Sequence, residues 1–116
     1  MGRDGLLGAF EEMVLLAVAR GDGDAYGMTV RREVGERTGR DVTIGSVYST
    51  LDRLETKGMV GSRLEAGDGP RAGRARRRFR ILPAGVEALG RARDMRAGLW
   101  EGIELGRLAS EAEGAS

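Results

Sequence analysis

Thr43-Ile44-Gly45-Ser46-Val47-Tyr48-Ser49-Thr50-Leu51-Asp52-Arg53-Leu54-Glu55-Thr56-Lys57 decides how the rest of this chain is read. Ile44, Val47, Leu51 and Leu54 step by 3, 4 and 3 residues, so on a helix they share one buried face. At about 100° per residue the opposite face carries Gly45, Ser46, Ser49, Arg53 and Thr56. That outer face is small and hydrogen-bonding, with one guanidinium. Thr43 is placed to cap the N-terminus, and Gly58 ends the helix.

Upstream, Leu6, Phe10, Met13, Val14, Ala17 and Val18 recur at helical spacing and predict a first helix from about Leu6 to Arg20. Gly21-Asp22-Gly23-Asp24 reads as a turn. A second helix is expected from Tyr26 to Thr38, with Tyr26, Val30 and Val34 on one stripe and Gly39 as its C-terminal cap. Downstream, Val60, Ser62 and Leu64 alternate with Gly61 and Arg63, and Phe79 and Ile81 alternate with Arg78 and Arg80, as half-buried strands do. Ala66 to Arg74 is a hairpin loop between them. Pro83 suits the first position of a fourth helix. There Ala88, Ala92, Met95 and Leu99 step by 4, 3 and 4, a coiled-coil-like seam too long for the small core alone. Gly98, Gly102 and Gly106 each cost a helix about 1 kcal/mol relative to Ala, so the helix is expected to fray past about Ile103 unless a partner packs on it.

The order is three helices, a strand, a basic loop, a strand and a helix. The fold class expected is mainly α with a small β-hairpin: a winged helix-turn-helix over residues 6–82, a C-terminal dimerisation helix over 83–109, and a disordered tail over 110–116. In such a fold the third helix enters the major groove and the hairpin touches the flanking backbone.

Composition narrows the chemistry. The 116 residues suit one domain with an appendage. The chain has no Cys and no His, and Lys57 is its single lysine. The commonest general base and metal ligand are therefore missing. Gly67, Gly69 and Gly73 lie in a hairpin, not before a helix, so they do not form a phosphate loop. No catalytic residue, metal or cofactor is expected, and the chain is not read as an enzyme. No apolar run approaches the ~18 residues that a membrane helix needs, and no signal-peptide pattern precedes Leu6, so no membrane partner is expected and the cytoplasm is the expected compartment. Net charge is +1, but Arg63 to Arg80 holds seven arginines against Glu65 and Asp68. A basic cluster on a balanced protein suits a polyanion.

These features nominate residues. On the third helix they are Thr43, Ser46, Tyr48, Ser49 and Arg53. The bland alternative is a solvated polar face. Arg53 can read guanine, a contact worth about 1–3 kcal/mol of discrimination, or pair with a phosphate or a neighbour. The Tyr48 hydroxyl can meet a phosphate while its ring covers the edge of the core. Asp52, near the same face, would repel phosphate. In the wing, Arg71 and Arg74 lie among glycines at the tip. Arg76, Arg78 and Arg80 share a strand face opposite Arg77, Phe79 and Ile81. On the last helix, Leu89, Ala92, Met95, Leu99, Trp100 and Ile103 are the dimerisation candidates. Trp100, the only Trp, is read as an interface anchor.

Ala25-Tyr26-Gly27, Gly45-Ser46-Val47-Tyr48-Ser49-Thr50-Leu51-Asp52-Arg53-Leu54-Glu55, Lys57-Gly58-Met59-Val60 and Arg77-Arg78-Phe79-Arg80-Ile81-Leu82-Pro83-Ala84-Gly85 together resemble the PadR-like transcriptional regulators, in their short, minimal branch. The resemblance covers roughly Leu6 to Gly85. It implies a homodimer joined mainly through the C-terminal helix, and binding to double-stranded operator DNA, usually as a repressor, with release by a small molecule or another signal; for Trp100 it implies, as the alternative to an anchor, the stacking of a small flat aromatic effector. Two positions depart from the family pattern. Ser49 stands where Pro is usual and adds a hydrogen-bonding group to the groove face. Leu82 stands where Thr is usual and has no hydroxyl with which to cap the fourth helix. The competing function is a protein-interaction module that keeps the winged-helix shape without using it on DNA.

Overall fold

Val14, Leu15 and Val18 of the first helix are fully buried against Val30, Val47, Leu51, Leu54, Val60 and Phe79, and with Ala25 and Ala88 this apolar cluster draws on four helices and three strands. The computed structural model describes residues 7–66 and 76–115. In order these form α1 (Ala9–Gly21), β1 (Ala25–Tyr26), α2 (Gly27–Thr38), α3 (Ile44–Thr56), β2 (Val60–Glu65), β3 (Arg76–Ile81), α4 (Pro83–Trp100) and α5 (Leu105–Ala115). The sheet is antiparallel with order β1-β3-β2.

Helix α1 starts at Ala9, later than the expected Leu6, which lies outside the described residues. Glu11 sets that start by accepting a hydrogen bond from the Gly8 amide at 3.0 Å. Asp22, in the left-handed region at φ 50°, ends the helix. The expected turn then leads into a strand that periodicity did not reveal. Ala25 pairs with Phe79 and Tyr26 with Arg78, and two residues are too few to show alternation. Tyr26 is consequently the N-cap of α2 and not part of its first turn. Gly39 closes α2 in the left-handed region at φ 72°, as expected.

Helix α3 follows its sequence reading except at Ile44, expected on the buried face but only half-buried at the helix start. Thr43 Oγ1 accepts from the Ser46 amide at 3.1 Å, and Val47, Leu51 and Leu54 are buried. Thr50 joins them at 1% exposure, extending the buried face by one polar residue. In the hairpin, Val60 pairs with Ile81, Ser62 with Phe79 and Leu64 with Arg77. Gly85 lets α4 close on this hairpin. A Cβ there would run into the Met59 carbonyl and stand 2.9 Å from Ile81 Cγ1.

The C-terminal region requires two corrections. A single helix to residue 109 with a disordered 110–116 tail was expected. Instead α4 ends at Trp100, Gly102 takes φ 80°, and α5 runs to Ala115; Ser116 lies outside the described residues. Gly102 adopts a backbone conformation that other residues avoid, so it breaks the helix without ending helical structure. The seam divides as well. Ala88 and Ala92 are buried in this chain's own fold, and Leu89 packs half-buried against its core. Ala92, at 6% exposure, therefore has little surface to offer a second chain. Met95, Leu99, Trp100 and Ile103 remain exposed.

Candidate nucleic-acid interface

The outer face of α3 presents Gly45, Ser46, Ser49, Arg53 and Thr56, all exposed, with Thr43 at its N-terminal end. Thr43 and Ser46 serve the cap as well, because the Ser46 hydroxyl donates to the Thr43 carbonyl at 2.9 Å. Tyr48 lies on the flank with its ring against Gly27, where a Cβ would collide with it. The ring thus covers the start of α2 while remaining 39% exposed.

Arg53 leans toward α1. Its Nη2 donates to Thr50 Oγ1 at 3.2 Å, and its Nε is 3.7 Å from Glu11 Oε2. Lys57 Nζ donates to the same Glu11 oxygen at 2.5 Å. Burial pushes the Glu11 carboxyl up, but the Lys57 and Gly8 hydrogen bonds outweigh it and hold the group down to about 2. Glu11 is thus an ionised, buried anchor for the C-terminal half of α3. The Arg53 head is still more than half exposed and is held loosely enough to turn outward.

On the other flank of α3 the structure makes a connection that the sequence reading missed. Arg77 Nη1 donates to Asp52 Oδ1 at 3.0 Å, and Nη2 donates to Glu55 Oε1 and to Ser62 Oγ, the latter at 3.1 Å. Asp52, read as a group that would repel phosphate, is paired. Strand alternation already placed Arg77 beside Phe79, and its guanidinium lies 4.9 Å from that ring centroid. The legible signal was the pair of acids on the α3 flank facing that side.

The opposite face of the hairpin carries Arg63, Arg76, Arg78 and Arg80, with Glu65 among them. Arg76 stacks over Tyr26, 4.0 Å from its centroid. Arg78 Nε donates to the Tyr26 hydroxyl at 3.2 Å and lies 3.1 Å from Glu65 Oε2; its Nη2 is 3.4 Å from Asp24. The Tyr26 hydroxyl donates to Glu65 Oε1 at 2.9 Å, and this bond, aided by Arg78, holds the Glu65 carboxyl below the usual range. Tyr26 therefore organises the base of the wing, a role its stripe position in the sequence did not reveal. Arg71 and Arg74 of the wing tip lie outside the described residues.

Among the described residues no group of three or more His, Cys, Asp or Glu is placed to hold a metal. No described helix is long and apolar enough to cross a membrane.

Three helices followed by an antiparallel hairpin beside the third, with the extra β1 strand on its inner edge, define a winged helix-turn-helix protein. The Transcriptional regulator PadR-like family matches residues 15–91, more than half of the chain, and the chain belongs to that family. It is 40% identical over 68 residues to Transcriptional regulator Rv3488 of Mycobacterium tuberculosis (strain ATCC 25618 / H37Rv). That alignment spans 59% of this chain and 59% of its relative's length. Among solved structures, RosR of H. salinarum is 25% identical with a TM-score of 0.64, covering 97% of this chain and 93% of its own. A PadR family regulator from Eggerthella lenta DSM 2243 shares the fold at 22% identity and a TM-score of 0.65, covering 84% of this chain and 80% of its own. The family and the curated relative are transcriptional regulators, not enzymes.

Proposed function

We propose that this PadR-like regulator is a cytoplasmic, homodimeric repressor that binds operator DNA through α3 and the wing. The observation that carries this reading is the outer face of α3: a row of exposed small and hydroxyl-bearing residues, flanked by one loosely held arginine, opposite the buried Val47, Leu51 and Leu54. Phosphates and base edges can approach such a face closely, and its hydroxyls and guanidinium match groove edges. In this reading Ser46, Ser49 and Arg53 face bases, while Thr43 and Tyr48 meet phosphates. Arg71 and Arg74, with Arg76 and Arg78 at the wing base, contact the flanking backbone.

The dimer reading is supported by apolar side chains without cover in the protomer. Leu99 is 79% exposed and Trp100 55%, with Ile103, Leu105 and Leu108 continuing the surface. A shallow hollow is lined by Leu99, Trp100, Ile103 and Leu105. A second copy is its natural cover, with Trp100 as anchor, and a flat aromatic effector stacked on Trp100 is the candidate signal for release.

The test is fluorescence-anisotropy binding to the DNA upstream of the protein's own gene, across a salt series, beside a scrambled duplex. The expected result is a preference of roughly 10³-fold or more for the native fragment, with affinity falling steeply as salt rises. Equal, weak binding to both duplexes, or none at low salt, would favour the protein-interaction module instead.

A further inference from the structure

Asp52 is three residues from Ser49, and Glu55 is three from Asp52, so the two carboxylates continue a helical row that begins on the proposed DNA face. Left alone, they would set negative charge beside approaching phosphates. Arg77 reaches both from β3, with one arm on Asp52 and the other on Glu55 and Ser62, and the Ser62 hydroxyl donates to Glu55 Oε2 at 2.6 Å. One planar guanidinium thus ties the recognition helix to both strands of the wing. Its donors are aimed inward, on the Phe79 side of the hairpin, while Arg63, Arg76, Arg78 and Arg80 occupy the other face.

We propose that Arg77 is a positioning residue of the DNA-binding surface: it bridges Asp52 and Glu55, offsets one of their two negative charges and sets the wing against α3, without itself contacting DNA. The inference rests on the DNA-binding reading above. A lysine is a compact charge that can serve one carboxylate at a time, whereas the guanidinium fork serves both.

The experiment is a mutant cycle on a duplex enriched from a random pool by the wild-type protein, read by anisotropy at about 50 mM salt, where charge is least screened. Arg77→Met is expected to lower affinity about tenfold, as two uncovered carboxylates near phosphates imply, and Arg77→Lys to lower it less. Adding Asp52→Asn and Glu55→Gln to Arg77→Met removes both uncovered charges and should restore most of the loss. The salt slope of these variants should stay that of the wild type, since no phosphate contact is lost. A purely structural role would not be rescued by removing charge. If the Arg77→Met loss persists after both carboxylates are removed, with the salt slope reduced by about one, Arg77 is a phosphate contact and the proposal is overturned. Unchanged affinity in Arg77→Met overturns it too. If the wild-type protein enriches no duplex, the DNA-binding reading itself falls, and the proposal with it.

Discussion

Glu11 shows how much a single buried carboxylate organises. It caps α1 through the Gly8 amide and, 46 residues away in sequence, receives Lys57 from the end of α3. Its carboxyl is held at about 2 against an ordinary 4.5, so its ionised form favours the folded state. That stability is fully present above pH 4.5 and is lost as pH falls toward 2, when the folded protein must also take up the proton. Replacing Glu11 by Gln should cost about 1–3 kcal/mol at neutral pH, the range for losing a charge-assisted hydrogen bond. It should also flatten the acid limb of the stability curve between pH 4.5 and 2. Urea unfolding at neutral pH and across that window measures both effects, and acid limbs of equal slope in the two proteins would exclude the role. The same carboxylate holds Arg53 at a distance of 3.7 Å, so the base-reading candidate is steadied from α1 and not from its own helix alone.

Among the elements, the junction of β2, β3 and α4 is the least tolerant. Gly85 sits where α4 crosses the exit of α3, and a methyl group there meets a backbone carbonyl, which cannot move aside as a side chain would. Gly85→Ala should destabilise by about 1–3 kcal/mol, as overpacking does, despite the better helix propensity of Ala. Chemical denaturation checks this, and a stabilised variant would mean that the helix can shift. Gly27 is the milder case, since its obstacle is the partly exposed Tyr48 ring. Leu82 caps α4 without a side-chain hydrogen bond, as its lack of a hydroxyl implied. Pro83 at the first helical position and the Leu82 carbonyl, which accepts from Gly85 at 2.8 Å and Val86 at 3.1 Å, start the helix instead.

For the whole molecule, the α4–α5 arm is the part whose apolar surface the protomer leaves uncovered. Arg96 ties its middle back to α1 through Glu12 at 2.5 Å, but beyond that point Leu99 and Trp100 face outward. Leu99→Asp alters no contact in the protomer core, so its circular dichroism should match the wild type. In the dimer reading it buries a charge at the contact and should shift the sedimenting species from dimer to monomer. A wild-type protein that sediments as a monomer at micromolar concentration would remove the dimer from the reading.

What this sequence determines by itself is whatever follows from neighbouring residues: the 3.6-residue periodicity of α1, α2 and α3, the Thr43 cap, the Gly39 stop, the strand alternation around Phe79, and with them the hydroxyl-bearing outer face of α3. These depend on backbone geometry within a turn or two. Only the tertiary structure decided the β1 pairing with β3, the burial of Ala92, the resumption of helix as α5 beyond Gly102, and the roles of Glu11, Tyr26 and Arg77. The charged and aromatic members of that set act through long side chains whose partners lie tens of residues away. An arginine run looks uniform until the pleat of a strand sends alternate guanidinia to opposite faces and the packing of that strand selects which acids each one meets.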